Sequence, residues 1–483
     1  MAEWPPIVRF LVLAVATICS TIVLSNMNIY NFTKICAEPY TQDTSHGNFT
    51  KLEADYVGVQ KPLLKAASAI GALAAGFPYT YLYHRFAGRY VFLSAGIISV
   101  VSTALVPLTH TLGFGYFFAA RIIQGVSFST TFQVIGCVTS DWAALGEHGI
   151  FLAFLTGCTQ LSNIFTMPIA AALCASSSGW PAVYYVHAGV TFVSFALWFI
   201  VYRDSPSMHS AVSSNELKKI SAGKAEKDPN NRESVPILSI ITDKAILGVW
   251  LAAFSDLLLV QLVSQYGPVY FNDYLKFNVM NSGIMSAVPI IAQFVMKMIA
   301  GFSSDALTCV SNTVNVKIMN TIALVPSGAC LIILSFFPRQ NTVLCVVGIT
   351  VAVSFTGFVT AGFNKCATLR SRQHSSFVMT QIMNLWAISI LVEPFIVDAI
   401  LTDHESSSQW MIVFIGHGAF AIFGNLVYLF VADARPAPWT NSAPDPSHGQ
   451  KEVRVESASE SSTVPLKSTP SQTEYGTEYS QRL

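Results

Sequence analysis

Charged residues are scarce in this sequence, and neither sign dominates. Only 11% of its 483 residues are Asp, Glu, Lys or Arg, whereas soluble domains average about 25%. The 27 basic and 27 acidic residues give a formal net charge of zero, which excludes a nucleic-acid binder that relies on a basic surface. A chain with 52% hydrophobic residues could not keep soluble domains of this total length in solution. We therefore expect a polytopic membrane protein surrounded by the lipid bilayer.

The sequence also lacks the motifs of an enzyme or of an ATP-driven pump. No nucleophile–base pair, metal-ligand spacing or phosphate-binding glycine loop stands out, so we predict no enzymatic activity, no metal site and no resident cofactor. Nine cysteines are present, and we place only Cys36 in a long polar loop, so no disulfide framework is predicted. The apolar run that continues to about Tyr30 is interpreted as a retained first span, since a signal peptide has a shorter one.

Twelve apolar runs are long enough for membrane helices, which need roughly 20 residues each. The predicted fold is all-α, with twelve transmembrane helices in two six-helix bundles at residues 1–202 and 244–435. A polar cytoplasmic linker at 203–243 separates the bundles, and a disordered cytoplasmic tail follows at 436–483. The predicted spans are 8–30, 62–82, 90–109, 114–138, 150–174, 181–202, 245–270, 281–302, 317–337, 342–363, 375–400 and 410–432.

Basic residues mark one side of the membrane. The short loop with Arg85 and Arg89, the linker, and the loop at 364–374 carry most of them, and these loops share a side with both termini. The positive-inside rule makes that side cytoplasmic. The opposite loop at 31–57 is more acidic and contains Asn48 in an Asn-Phe-Thr sequon, which we predict to be glycosylated.

Several motifs resemble one family in their order and spacing. They include the run PYTYLYHRFAGRYVF at 78–92, Arg-Ile-Ile-Gln-Gly at 121–125 and Gly-Trp-Pro-Ala-Val-Tyr-Tyr-Val at 179–186. Together these resemble the phosphate and organic-anion symporters of the major facilitator superfamily, such as sialin, the vesicular glutamate transporters and the type I sodium–phosphate cotransporters. The resemblance implies a secondary transporter that moves a small organic anion or phosphate with H⁺ or Na⁺ by alternating access. It also implies a plasma, vesicular or lysosomal membrane, and we expect a monomer.

Some positions depart from the pattern of that family. Asn26 stands where the family often has an arginine, and Phe128 stands where the vesicular transporters have a glutamate associated with coupling. By ungapped counting, Asp256 replaces their helix 7 arginine and Lys65 replaces their helix 2 histidine. These departures leave open a second interpretation, a passive facilitator or a non-transporting membrane sensor with the same fold.

Ionisable residues inside the spans are candidates for the transport chemistry, because charge in hydrocarbon is costly. Arg121 could bind a carboxylate or phosphate through its planar guanidinium; a structural ion pair or a side chain that reaches the interface are the alternatives. Lys65 and Tyr266 are the other candidate substrate-binding residues. Lys65 could instead extend to the membrane interface, and Tyr266 could serve packing.

Three residues are candidates for coupling. Asp256 could pair with Arg121 across the two halves in the empty protein and take up a proton when an anionic substrate displaces it. Glu393 precedes Pro394, where a kink frees backbone groups, and His187 titrates near neutral pH. Asp256 and His187 could instead be hydrogen-bonded packing residues, and Glu393 is also a candidate for a gate.

Overall fold

The computed structural model describes residues 7–36, 56, 58–144, 147–222, 236–306 and 310–440. Twelve long helical segments run through these residues, which confirms the predicted all-α fold. We number them as spans 1 to 12. They are Val8–Thr33, Gln60–Arg85, Gly88–Thr111, Phe114–Trp142, the pair His148–Thr156 and Cys158–Cys174, Gly179–Val201, Lys244–Tyr274, Val279–Ala306, Asn312–Leu334, Thr342–Ser371, Ser375–Ile400 and Ser407–Val431.

Ten of the described helical segments are long and apolar enough to cross a membrane. Span 2 is as long as the others but carries Lys61, Lys65 and Arg85. Span 5 is divided at Gly157 into helices of 9 and 17 residues. Both occupy positions that the sequence predicts for spans, and the described residues up to 440 form one compact unit.

Three further spans contain local breaks. Span 4 consists of Phe114–Phe128 and Thr131–Trp142, and span 7 ends in a π-helical turn at Tyr270–Tyr274. Span 10 consists of Thr342–Thr356, a 3₁₀ turn and Phe363–Ser371. The predicted loop at 364–374 is therefore wrong: the helix resumes after the 3₁₀ turn, so most of these basic residues lie on a helix.

The linker contains short helices whose starts are capped by side chains. Ser213 accepts a hydrogen bond from the backbone N–H of Glu216 at the start of Ser214–Ser221. After Ile237–Thr242, Asp243 accepts from the N–H groups of Ala245 and Ile246 and so caps span 7. Such caps satisfy backbone donors that a helix leaves unpaired. Residues 223–235 and 441–483 lie outside the described residues, so the predicted linker and tail boundaries stay predictions.

Close backbone packing holds spans 2 and 4 together. A Cβ atom at Gly71 would overlap the carbonyl of Ile122, and a Cβ at Gly125 would overlap the carbonyl of Ser68. Small residues allow membrane helices to approach closely. Span 2 also packs on span 11, and span 5 packs on span 8. These contacts place side chains from both halves around the centre of the molecule.

A disulfide links the ends of spans 1 and 5. Cys36 and Cys174 are bonded, with their Cα atoms 5.9 Å apart. The prediction of no disulfide framework is wrong, because Cys174 lies at the end of an apolar run and is brought to Cys36 only by folding. We call this end of the bundle the disulfide end and the opposite end the linker end. The predicted glycosylation site at Asn48 lies outside the described residues.

Buried ion pairs cross-link the linker end of the N-terminal half. Arg9 Nε lies 2.7 Å from Glu147 Oε2, and Arg9 Nη1 lies 3.2 Å from Glu216 Oε1. Lys219 also binds Glu147, at 2.8 Å. The hydrogen bond from Arg9 is the main cause that lowers the pKa of the Glu147 carboxyl below its ordinary value of 4.5. Span 1, the start of span 5 and the linker helix are thereby joined.

A second ion cluster holds the linker end of the C-terminal half. Arg370 donates to Asp243 at 2.8 Å and to Asp433 at 3.2 Å. Trp439 Nε1 donates to Asp243 at 3.2 Å, so the residues just after position 435 pack against this cluster. The hydrogen bond from Arg435 lowers the pKa of Asp433 to about 2.

Candidate functional site

A small cavity lies between the two halves. Its volume is about 10 Å³, on the order of the room that one water molecule needs. Spans 1, 2, 4, 7 and 11 contribute the lining residues, which are Met27, Asn28, Asn31, Lys65, Ser68, Arg121, Gln261, Gln265 and Ile390. The structure therefore brings two predicted substrate-binding residues, Arg121 and Lys65, to one site.

Arg121 is a fully enclosed cation in the wall of this cavity. It is 1% exposed, and its Nη1 donates to the carbonyl of Met27 at 3.0 Å and to Gln124 Oε1 at 2.7 Å. Its guanidinium carbon lies 5.0 Å from the centre of the Tyr30 ring. Within the described residues its Nε has no hydrogen-bond partner and no carboxylate forms an ion pair with it. A buried guanidinium with spare donors can receive an anion.

Lys65 lies at the disulfide end of the cavity and joins the two halves. Its Nζ lies 3.0 and 2.9 Å from the two carboxylate oxygens of Asp398 on span 11. The hydroxyl of Tyr266, the third predicted substrate-binding residue, donates to Asp398 Oδ1 at 2.6 Å. Lys65 is only 3% exposed, so the alternative in which it reaches the membrane interface is wrong.

A second lysine packs on the same tyrosine. Lys34 Nζ donates to the carbonyl of Gln265 at 2.6 Å and lies 4.8 Å from the centre of the Tyr266 ring. Lys65 Nζ lies 4.7 Å from that centre. Contacts of this kind between a cation and an aromatic face are favourable. Together with Asp398, these residues form a cluster of charged and aromatic side chains on the disulfide-end side of Arg121.

Towards the linker end, aromatic packing takes the place of charge. Phe128 lies seven residues after Arg121 on span 4, about 10 Å along the helix, and its ring is 5.2 Å from that of Trp386 on span 11. This apolar contact also joins the two halves. Contacts between the two halves therefore lie on both sides of Arg121, Phe128 with Trp386 towards the linker end and Lys65 with Asp398 towards the disulfide end.

Amide and hydroxyl groups form most of the remaining polar surroundings. Asn28 Nδ2 donates to Asn163 Oδ1 at 3.1 Å, and Gln265 Nε2 donates to Gln261 Oε1 at 3.3 Å. Nearby on span 1, Asn26 donates to Ser99 and Thr191, each at 2.8 Å. At the position where the resembled family often has arginine, the amide nitrogen therefore donates to two neutral hydroxyls, while the amide oxygen has no partner within the described residues.

The predicted ion pair between Arg121 and Asp256 is absent from this conformation. Asp256 is 5% exposed, is not among the residues that line the cavity, and its Oδ1 has no hydrogen-bond partner within the described residues. Arg121 instead uses a carbonyl and an amide oxygen. The prediction was wrong here because burial alone does not show which way two helices turn their side chains.

The other two coupling candidates lie in different surroundings. Glu393 is fully buried, and its Oε1 lies 3.0 Å from His417 Nε2 on span 12. His417 Nδ1 lies 2.8 Å from the carbonyl of Val413. His187 Nδ1 lies 2.8 Å from the carbonyl of Val183 one turn earlier, and its Nε2 has no partner within the described residues.

Sequence reasoning missed Asp398, Lys34 and His417. Lys34 was counted only as a loop charge, and His417 was one histidine in an apolar run. Asp398 offered a usable signal: it stands two residues before the end of a predicted span, at the same depth as Lys65. Comparing the depths of opposite charges would have suggested the pair.

Twelve spans packed around a central cavity with cationic and amide groups define a membrane transport protein. The chain belongs to the Major Facilitator Superfamily, whose profile matches residues 10–394. The known structure of a D-xylose–proton symporter has the same fold: its TM-score is 0.66, its identity 14%, and the match covers 88% of this chain and 98% of that one. The chain is therefore a transporter of this superfamily and not an enzyme.

Curated relatives agree with the resemblance drawn from the motifs. The uncharacterized transporter slc-17.3 of Caenorhabditis elegans is 26% identical over 83% of this chain and 77% of its own length. Human vesicular glutamate transporter 2 is 25% identical over 77% of this chain, which spans 64% of that protein. Mouse sodium-dependent phosphate transport protein 3 is 22% identical over 78% of this chain and 79% of its own length. The predicted membership of the major facilitator superfamily is confirmed, and the chain is similar to relatives of the kind that the motifs suggested.

Proposed function

We propose that the protein is a secondary active transporter that moves a small organic anion or inorganic phosphate, coupled to H⁺ or Na⁺, by alternating access. One observation carries the proposal: Arg121 is a buried cation that lines the central cavity, and no described carboxylate pairs with it. An anionic cargo would supply the missing negative charge. The names of the relatives, which refer to glutamate and phosphate, support the same class of cargo.

The experiment measures uptake of labelled glutamate, succinate and inorganic phosphate into proteoliposomes, with and without a pH or Na⁺ gradient. Arg121→Gln should abolish uptake of whichever anion the wild type accumulates, because a neutral amide cannot replace the guanidinium charge. Arg339→Gln is the matched control, since Arg339 lies outside the cavity and packs over Tyr274. Undiminished uptake by Arg121→Gln would contradict the proposal.

The proton is our first candidate for the coupling ion. The two ring nitrogens of His417 face groups that accept hydrogen bonds, the Glu393 carboxylate and the Val413 carbonyl. A neutral histidine has only one N–H group and could make only one of these two hydrogen bonds to a carboxylate and a carbonyl. Both contacts are hydrogen bonds only if the Glu393–His417 pair carries one additional proton. Glu393 and His417 together form a group that could take up and release a proton during transport.

Substitutions separate the coupling candidates. Glu393→Gln should keep exchange of substrate across the membrane and lose accumulation driven by a pH gradient, because the amide cannot carry the proton. Asp256→Asn tests the second buried carboxylate in the same way, and His187→Gln tests the histidine. If all three variants accumulate substrate like the wild type under a pH gradient, proton coupling through these residues is wrong, and a Na⁺ gradient becomes the driving force to test.

We propose that both termini are cytoplasmic and that the protein acts as a monomer in a plasma, vesicular or lysosomal membrane. Two features support this orientation: the basic residues near the linker end and the disulfide at the opposite end, since disulfides persist in oxidising compartments. Asn48 should then be glycosylated, and a tag after Leu483 should be detected only in permeabilised cells. Staining of the tag on intact cells would overturn the orientation.

A passive facilitator or a non-transporting sensor is the second candidate. Two observations favour it: Phe128 packs on Trp386 where the resembled vesicular family has a glutamate, and Asn26 has neutral partners where an arginine is common. A facilitator would equilibrate an anion without accumulating it, and a sensor would bind without flux. Equilibration that ignores every ion gradient would favour the facilitator over the symporter.

A further inference from the structure

We propose that Asp398 is a specificity-determining residue that restricts the cavity to cargo with a single negative charge. This inference rests on the proposed function, because it presupposes that the cavity binds an anion. Asp398 accepts hydrogen bonds from Lys65 and Tyr266, as a carboxylate of the cargo would. Asp398 therefore competes with the cargo for these two donors in the anion site.

The geometry around Asp398 is that of a carboxylate receptor. Lys65 Nζ on span 2 reaches both of its oxygens, at 3.0 and 2.9 Å, and the Tyr266 hydroxyl on span 7 donates to Oδ1 at 2.6 Å. The Lys65 side chain is 2% exposed and that of Asp398 is 16% exposed. Two donors from two spans therefore converge on one carboxylate from a third. Hydrogen bonds between charged groups at such distances are strong ones.

The same lysine lines the cavity that Arg121 lines. A cargo carboxylate or phosphate group would bind Arg121, which has no carboxylate partner among the described residues. A second anionic group on the cargo would extend towards Lys65 and meet the negative charge of Asp398. It would have to displace Asp398 or bear like-charge repulsion in a largely buried site, where such repulsion is stronger than in bulk water. Discrimination of this kind needs a repulsive element as well as an attractive one.

A purely structural role for Asp398 predicts something different. If the pair with Lys65 only held spans 2 and 11 together, its removal would change the binding of all anions by the same factor. Under our proposal, removal of the Asp398 charge changes the ratio between anions of different charge. The ratio of affinities for a dianion and a monoanion of equal shape is therefore the quantity to measure.

Succinate and its monoamide, succinamate, are suitable probes, since they have nearly the same shape and differ by one charge. Their binding to the purified full-length protein is measured by thermal stabilisation and tryptophan fluorescence. Asp398→Asn should raise the affinity for succinate relative to succinamate by about tenfold or more, the scale of close charge–charge coupling in a buried site. Asp398→Ser should do the same if the asparagine variant folds poorly.

The controls separate charge from structure. Adding Lys65→Gln to Asp398→Asn restores the original charge of the site and should reverse the gain of succinate binding. Asp403→Asn removes an exposed carboxylate near the same end, outside the cavity, and should leave the ratio unchanged.

The measurements distinguish a wrong role for Asp398 from a wrong assignment of the anion site. If Asp398→Asn and Asp398→Ser do not gain succinate binding relative to succinamate, the role of Asp398 is wrong, and this holds even where the wild type binds neither probe. If binding of both probes is instead insensitive to Arg121→Gln, the proposed anion site itself is wrong.

Discussion

The buried ion pairs at the two ends of the molecule join different parts of the fold. At the linker end, Arg9 joins span 1 to the start of span 5 and to the linker helix, and Arg370 joins elements of the C-terminal half. At the disulfide end, the pair of Lys65 and Asp398 joins spans 2 and 11, which belong to opposite halves. Pairs within one half can persist while the halves rock against each other, whereas a pair between halves has to open. The first kind should therefore set stability, and the second should set conformation and cargo access.

The largest expected effect on stability is at Arg9. Arg9→Met leaves Glu216, which is 1% exposed, without its buried cation. Removing one partner of a buried pair typically costs about 3 to 5 kcal/mol. We expect a loss of that size in the free energy of unfolding, measured by titration with a denaturing detergent, with transport per folded molecule largely retained.

The control for Arg9 is an exposed ion pair. Lys276 and Glu405 pair at the disulfide end, with side chains 50% and 59% exposed. Lys276→Met should cost less than about 1 kcal/mol, as exposed pairs usually do. If both variants lose equal stability, burial does not distinguish these pairs, and the comparison between them is wrong.

The disulfide is expected to have the next largest effect. Cys36→Ser should lower the free energy of unfolding by about 2 kcal/mol or more, because the bond closes a loop of 138 residues that the unfolded chain would otherwise leave open. Spans 1 and 5 both belong to the N-terminal half, so uptake by the folded fraction should persist. Loss of uptake at unchanged stability would show that this bond constrains movement between the halves.

Lys65→Met should cost only about 1 kcal/mol, since Asp398 is partly exposed and can be reached by water. Its larger effect should be on conformation. A cysteine can be introduced in the cavity wall as Ile390→Cys. In the Lys65→Met protein this cysteine should react faster with a membrane-impermeant thiol reagent applied at the disulfide end than it does in the protein that retains Lys65. An unchanged reaction rate would mean that this pair does not close the cavity.

The smallest expected effect is that of pH on the linker-end clusters. Arg435 lowers the pKa of Asp433 from 3.8 to about 2, and Arg9 lowers that of Glu147 below 4.5. A lowered pKa stabilises the fold above the unfolded pKa, and this stabilisation is lost as the pH falls through the folded pKa. The contribution of Asp433, measured as the difference between wild type and Asp433→Asn, should be constant from pH 7 to about 5 and shrink below about pH 4. A difference that already declines near neutral pH would contradict this.

Much of the fold was predictable because it depends on local properties of the chain. The length of each apolar run predicts a span, and Asp243 and Ser213 are ordinary helix caps. The continuation of span 10 through a 3₁₀ turn was missed, since Lys365 and Arg370 resemble loop residues when only the composition is considered. Lys365 donates a hydrogen bond to the hydroxyl of Ser304, and Arg370 pairs with Asp243 and Asp433. These partners are distant in sequence.

For the candidate site, the residue types follow from the sequence alone: a cation at Arg121, another at Lys65 and an aromatic hydroxyl at Tyr266. The cost of charge in hydrocarbon is enough to single out such residues. The partners of these residues depend on how the helices pack in three dimensions. Lys65 and Asp398 are 333 positions apart, and Cys36 and Cys174 are 138 apart, so their meeting depends on how helices rotate and pack. The same packing separates Asp256 from Arg121, since the period of a helix does not reveal which neighbour a buried face will contact.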